Sequence, residues 1–99
     1  MLEQLTMASL SEQLNTKFRL SAEPETQVEL ELVEVQAHGD VAGQTERFSA
    51  IFRGPLGRFL PQSTYAMGHE KLGSVELFIV PIRQDNEGFY YEAVFNRVK

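Results

Sequence analysis

No interval between the strand-like runs of this 99-residue chain is long enough to hold a helical crossover, so its strands must pair antiparallel. The runs are Lys17 to Ser21, Thr26 to Ala37, Thr45 to Arg53, Ser63 to Met67, Ser74 to Ile82 and Phe89 to Asn96. Glycine, proline and polar clusters separate them: Pro24, His38 to Gln44, Gly54-Pro55-Leu56-Gly57, Gly68 to Gly73, and Arg83 to Gly88. The expected fold is mainly β, a six-stranded antiparallel meander forming a small barrel or sandwich, with one short N-terminal helix. The whole chain, 1–99, makes a single domain, with a helical segment over 1–16 and strands over 17–96.

The second run carries an internal signal. Val28, Leu30 and Leu32 occupy even positions, but Val33, Val35 and Ala37 are odd. An alternation that changes phase requires a β-bulge near Leu32-Val33 or burial of both faces. At the N-terminus, Ser9-Leu10-Ser11-Glu12 has capping-box spacing and predicts a helix over about residues 9–15, with Leu10 and Leu14 on one face beside Leu5 or Met7. So short a helix must lie on something, either plugging one end of the sheet or covering a face. The last hairpin needs such a cover: Phe89, Tyr91, Ala93 and Phe95 fill one side, and Tyr90 and Val94 make the other partly apolar. The helix, or another chain, is expected to cover it. In the loop before Ser63, Phe59 and Leu60 are expected to tuck inward.

Composition removes several classes of chemistry. The chain has no cysteine, so disulfides, thiolate metal sites and cysteine nucleophiles are out. Met1 to Leu5 lacks the basic start of a secretory signal, and the longest apolar run, Leu77 to Ile82, is too short to span a bilayer. The expectation is a soluble cytoplasmic protein with no membrane partner. Residues 1–46 hold nine acids against Lys17 and Arg19, and residues 47–99 hold seven bases against five acids. Two solvated surfaces of opposite sign explain this; a dipolar molecule that associates head to tail is the sharper alternative. A net charge of −5 argues against nucleic acid, whose phosphates demand a basic patch.

Reactive constellations are scarce. His38 and His69 fall in separate predicted loops, where exposure is the plain expectation, and neither has a second histidine at metal-ligand spacing. Glu29 and Glu31 lie on the polar face of a strand, where carboxylates ordinarily guard an edge. No GxGxxG, P-loop, GxSxG or HExxH pattern occurs, so no catalytic residue, metal ligand or cofactor is assigned. What remains is a polar group around the Gly54-Pro55 loop: Arg53, Arg58, Gln62 and Tyr65. With Tyr90 from the last hairpin, Arg53, Gln62 and Tyr65 are the candidate binding residues. Arg53 and Gln62 satisfying loop carbonyls is the structural alternative.

These strings resemble a family of small bacterial domains of unknown function. The resemblance runs nearly end to end: the opening Leu-Thr and helix, Phe18-Arg19-Leu20, Glu31 to Val35, Phe48 to Pro55, Leu60-Pro61-Gln62 with Thr64-Tyr65, Leu72-Gly73, Glu76 to Ile82, and Tyr91 to Asn96. It implies no catalytic residues. Relatives that lie near genes for phage-tail-like collar proteins imply an assembly role. The expected function is therefore non-enzymatic: a module that joins itself or a protein partner through an exposed strand edge or an apolar face. The alternative is a small-molecule binder or enzyme with a pocket at a barrel mouth, using Tyr65, Tyr90, Tyr91, Arg53 and His69.

Overall fold

The structure, a computed structural model, describes residues 6–23, 26–38 and 45–98. Leu5, the Pro24 turn and most of the loop from His38 to Gln44 lie outside these residues. Helix α1 (Met7–Ser11) precedes strands β1 (Lys17–Glu23), β2 (Thr26–Ala37), β3 (Thr45–Gly54), β4 (Ser63–His69), β5 (Gly73–Asp85) and β6 (Gly88–Val98). All six strands lie in one antiparallel sheet, so the fold is mainly β as the turn spacing requires. No helix among the described residues is long and apolar enough to cross a membrane.

The sheet closes on itself in the order β1-β2-β3-β6-β5-β4. One connection departs from a single meander. After Gly54 the chain crosses the end of the sheet through residues 55–62 and enters β4 beside β1, leaving β3 to pair with β6. Two three-stranded meanders are thus joined edge to edge. The reason lies in the Gly54-Pro55 stop: the segment after it is too long for a tight hairpin, so β4 need not fold back onto β3. The closing seam is short, with only Arg19 opposite Gly68 and Leu20 opposite Met67.

Apolar alternation places the core inside this ring. Phe18, Leu20, Val28, Leu30, Leu32, Phe48, Ala50, Phe52, Met67, Val75, Leu77, Ile79, Tyr91 and Ala93 pack together, joined by Leu10 from α1 and Leu60 from the 55–62 loop. Phe18 meets Phe52 edge to face with ring centroids 5.2 Å apart. The phase change in β2 is a bulge: the register against β3 shifts between Leu32 and Glu34. A second shift falls between Pro81 and Arg83 in β5, where a residue without an N–H is tolerated.

The helix begins earlier than its serine spacing suggests. Thr6 is the N-cap, its hydroxyl accepts from the Ser9 N–H, and the Ser9 hydroxyl accepts from the Thr6 N–H, both at 3.0 Å. Ser9 therefore serves as the third helical residue of the box rather than its cap. The helix stops at Ser11, and Asn15 then takes a left-handed φ of 69°, which asparagine tolerates. Leu10 is wholly buried, whereas Leu14 is exposed. Because α1 sends Leu10 into the core and packs on β2, it does not cover the outer face of the last hairpin.

Candidate functional site

Arg53, one residue before the end of β3, lies directly opposite Tyr90 on β6, so two of the four candidates share one surface. The Arg53 guanidinium bridges three elements, donating to Glu31 of β2 at 2.8 Å and to Glu87 of the β5–β6 turn at 3.2 Å. Burial works against its charge, but the Tyr90 hydroxyl and the Glu31 carboxylate outweigh that and hold it above the ordinary arginine range. Tyr90 itself is nearly buried; its hydroxyl donates to Asp85 at 3.0 Å and the Arg83 guanidinium lies 4.3 Å over its ring. That desolvation, followed by the bond to Asp85, raises the Tyr90 phenol. Asp85 accepts from the Glu87 N–H at 2.8 Å, and this bond is the chief reason its carboxyl lies below the usual range. The apolar second face of the hairpin is therefore split: local polar groups cover Tyr90, and Val94 stays exposed.

The other two candidates stand elsewhere. Tyr65 donates to the Pro61 carbonyl at 2.6 Å, and Gln62 is exposed in the loop just before β4. Beside them the Tyr91 hydroxyl accepts from the Leu60 N–H at 3.0 Å. These tyrosines fasten the 55–62 loop to the sheet, with Leu60 buried; Phe59 stays exposed, its edge against Phe89 at 5.2 Å. The structure brings Arg53 and Tyr90 together and holds Tyr65 and Gln62 apart from them.

His69 is not an exposed loop residue. It closes β4, is 8% exposed, and packs its ring 4.4 Å from Phe18. Its Nδ1 accepts from the Lys71 and Leu72 N–H groups at 3.0 and 3.1 Å, so the proton resides on Nε2 and is donated to Thr16 Oγ1 at 2.8 Å. Met67 and His69 continue one inward alternation, the signal that places the ring inside. Burial pushes the imidazole below its ordinary 6.5; Glu70 opposes this and Lys71 adds to it. The sign follows. The unfolded chain binds the proton more readily, so this contribution is complete above about pH 6.5 and declines as pH falls below it. Between pH 7.5 and 5.5 the urea midpoint of the wild type is expected to drop more steeply than that of His69→Gln; parallel profiles would refute this.

His38 is exposed, and its Nε2 lies 2.8 Å from Ser49 Oγ. Ser49 is wholly buried in β3, which puts its hydroxyl out of reach of a substrate. Among the described residues no group of three His, Asp or Glu side chains could hold a metal ion.

A cleft of about 770 Å³ opens beside Arg53. Its walls are Gln27 to Glu29 and Glu31 of β2, Lys17 of β1, the Gly54-Pro55 stop with Gly57 and Arg58, and Glu87. Strand β3 pairs with β2 only as far as Glu31 opposite Arg53, while β2 continues against β1 to Thr26. One edge of β2 is thus exposed in the cleft. Sequence reasoning read Glu29 and Glu31 as guards of a strand edge but did not find the cleft beside it, although β3 stopping at Gly54-Pro55 while the β1–β2 hairpin runs on is a legible sign of it.

Residues 5–95 match a family described as a domain of unknown function, DUF6916. The chain belongs to this family. The matched span takes in every wall of the cleft, strands β1 to β5, and β6 as far as Phe95. Neither a curated protein nor a solved structure matches the chain.

Proposed function

We propose that this domain is a non-enzymatic protein-binding or assembly module that meets a protein partner or a second copy through the outer face of β5 and β6. The observation that carries this reading is an uncovered apolar face: Phe78 is 51% exposed, Ile82 41% and Val94 59%. Phe78 and Val94 each lie two residues from the paired Val80 and Glu92 and share their outward side. Large side chains kept in water on adjoining strands are the usual mark of a protein contact. A chain without cysteine fits a reducing cytoplasm as its setting, and the family resemblance suggests a bacterial, phage-tail-like assembly. The acidic balance disfavours nucleic acid as the partner.

Light scattering over a concentration series, with affinity capture from native lysate, tests the reading against Phe78→Glu/Val94→Glu. Wild type is expected to self-associate or retain a stoichiometric partner, and the double variant to lose roughly tenfold in affinity with an unchanged urea midpoint. A wild type that stays monomeric and captures nothing, or a variant that performs equally, would overturn it.

The pocket alternative has less support. Of its five residues, Tyr91 and His69 are buried, with the Tyr91 hydroxyl engaged by the Leu60 N–H and the His69 ring by the turn backbone and the Thr16 hydroxyl.

A further inference from the structure

We propose that His69 is a proton-released latch: its neutral imidazole fastens the β4–β5 turn to the segment between α1 and β1, and protonation opens the β1–β4 seam while the rest of the sheet stays paired. The directions of its hydrogen bonds carry the inference. The Lys71 and Leu72 N–H groups both donate to Nδ1, at 3.0 and 3.1 Å, and the Nε2 proton goes to Thr16 Oγ1 at 2.8 Å. The Thr16 hydroxyl donates onward to the Gln13 carbonyl at 2.6 Å. A second proton on the ring sits on Nδ1, where it meets two backbone donors, so the turn must swing off the ring or the ring must leave its place.

The place of the latch decides what it controls. Strand β1 holds β4 only through Arg19 opposite Gly68 and Leu20 opposite Met67. On their other sides, β1 pairs with β2 from Lys17 to Glu23, and β4 pairs with β5 from Ser63 to His69. Losing the seam therefore breaks no other strand pairing, and the closed ring becomes one continuous open sheet in the order β1-β2-β3-β6-β5-β4. His69 follows Gly68 in the chain, and its ring lies 4.4 Å from Phe18, the neighbour of Arg19. The latch thus stands beside one of the two pairs it secures. Opening creates two strand edges that the closed ring lacks, and such edges are where sheets take up further strands.

The surroundings let the ring respond to pH. Burial is the largest influence and holds the imidazole below its ordinary 6.5; Glu70 and Lys71, both of the turn, oppose each other. The other elements against the ring bring Thr16 and Phe18, which do not titrate. Glu12 at the end of α1, Lys17 and Arg19 of β1 and Glu76 of β5 are exposed, and the last three alternate with inward residues. The closed form therefore binds its proton less readily than the open form, and acid favours opening from about pH 6.5 downward.

The inference stands apart from the proposed function, whose face on β5 and β6 it does not use. Amide hydrogen exchange of the full chain between pH 7.5 and 5.5 tests it, read as protection factors so that the intrinsic pH dependence divides out. Protection at Arg19 and Gly68 is expected to fall severalfold, by no more than about tenfold per pH unit, the limit for one proton. Phe52 and Tyr91 should stay far better protected, and low urea should reduce their protection but not that of the seam, the mark of a local opening. In His69→Asn, whose side-chain oxygen accepts from the turn and takes up no proton, the fall with pH should vanish. Thr16→Val, which removes the receiver of the Nε2 proton, should lower seam protection already at pH 7.5. Should His69→Asn fail to fold, the wild type decides, since the fall must level off where the His69 ring titrates, followed by its Cε1 proton shift. Seam protection indifferent to pH, a seam as protected and as urea-sensitive as Phe52 and Tyr91, an equal fall in folded His69→Asn, or Thr16→Val matching wild type would overturn the latch.

Discussion

Phe18→Ala is expected to cost about 3–5 kcal/mol, a large share of what a chain this size has to lose. The ring is fully buried, meets Phe52 edge to face, and lies 4.4 Å from the His69 imidazole. Its position makes the loss worse than burial alone. The seam between β1 and β4 has only two residue pairs, so closure depends on the side chains beneath it: Phe18, Leu20, Met67 and His69. Removing the ring leaves a cavity under the weakest join of the sheet and removes the surface against which His69 packs. Urea unfolding measures the total. Hydrogen exchange locates it, and the Arg19 and Gly68 amides, which face each other across the seam, should lose protection before those of Phe52 and Tyr91. A loss below about 1 kcal/mol, within the ordinary range for a substitution, would show that the seam does not depend on this ring.

The same seam shows what the sequence made legible and what it did not. Strand number, antiparallel pairing and the β2 bulge followed from local pattern, because alternation and its change of phase at Leu32-Val33 are written in adjacent residues. Strand order is a long-range choice. Nothing local distinguishes β4 folding back on β3 from β4 crossing to β1, and the segment after Gly54 permitted either. The helix was displaced because Thr6 and Ser9 are equally good caps, and Ser9 can play the part usually given to glutamate. Arg53 stood out as a polar residue beside a rigid turn, yet its partners Glu31 and Glu87 come from two other elements. Tyr65 and Gln62 entered the candidate site through sequence proximity to that turn, and the crossing loop carries them away from it. The free edge in the cleft likewise arises only when two strands of unequal reach are set side by side.

Gly88→Ala is expected to destabilise the domain by about 3 kcal/mol, and the reason is backbone meeting backbone. A Cβ at Gly88 would stand 2.2 Å from the Gly54 carbonyl oxygen and 2.9 Å from Arg53 Cγ. A flexible side chain could move aside, but Gly54 is fixed by its pairing with Phe89 and Arg53 by its pairing with Tyr90. Relief therefore requires the β3 end and the β5–β6 turn to separate, which also pulls Glu87 away from Arg53. Two other glycines calibrate the claim. At Gly54 the nearest obstacle is the Leu30 Cδ2 at 2.7 Å, a side-chain tip that can rotate at the cost of core packing. At Gly57 nothing lies within 4 Å, so Gly57→Ala should change stability by no more than about 0.5 kcal/mol. The expected order of loss is Gly88→Ala, then Gly54→Ala, then Gly57→Ala, read from urea midpoints at constant m. If Gly88→Ala proved as mild as Gly57→Ala, the contact between the turn and the end of β3 would be looser than 2.2 Å implies. Arg53 could not then be held by Glu31 and Glu87 together, and the ion pairs that join β2, β3 and the β5–β6 turn would not form as one group.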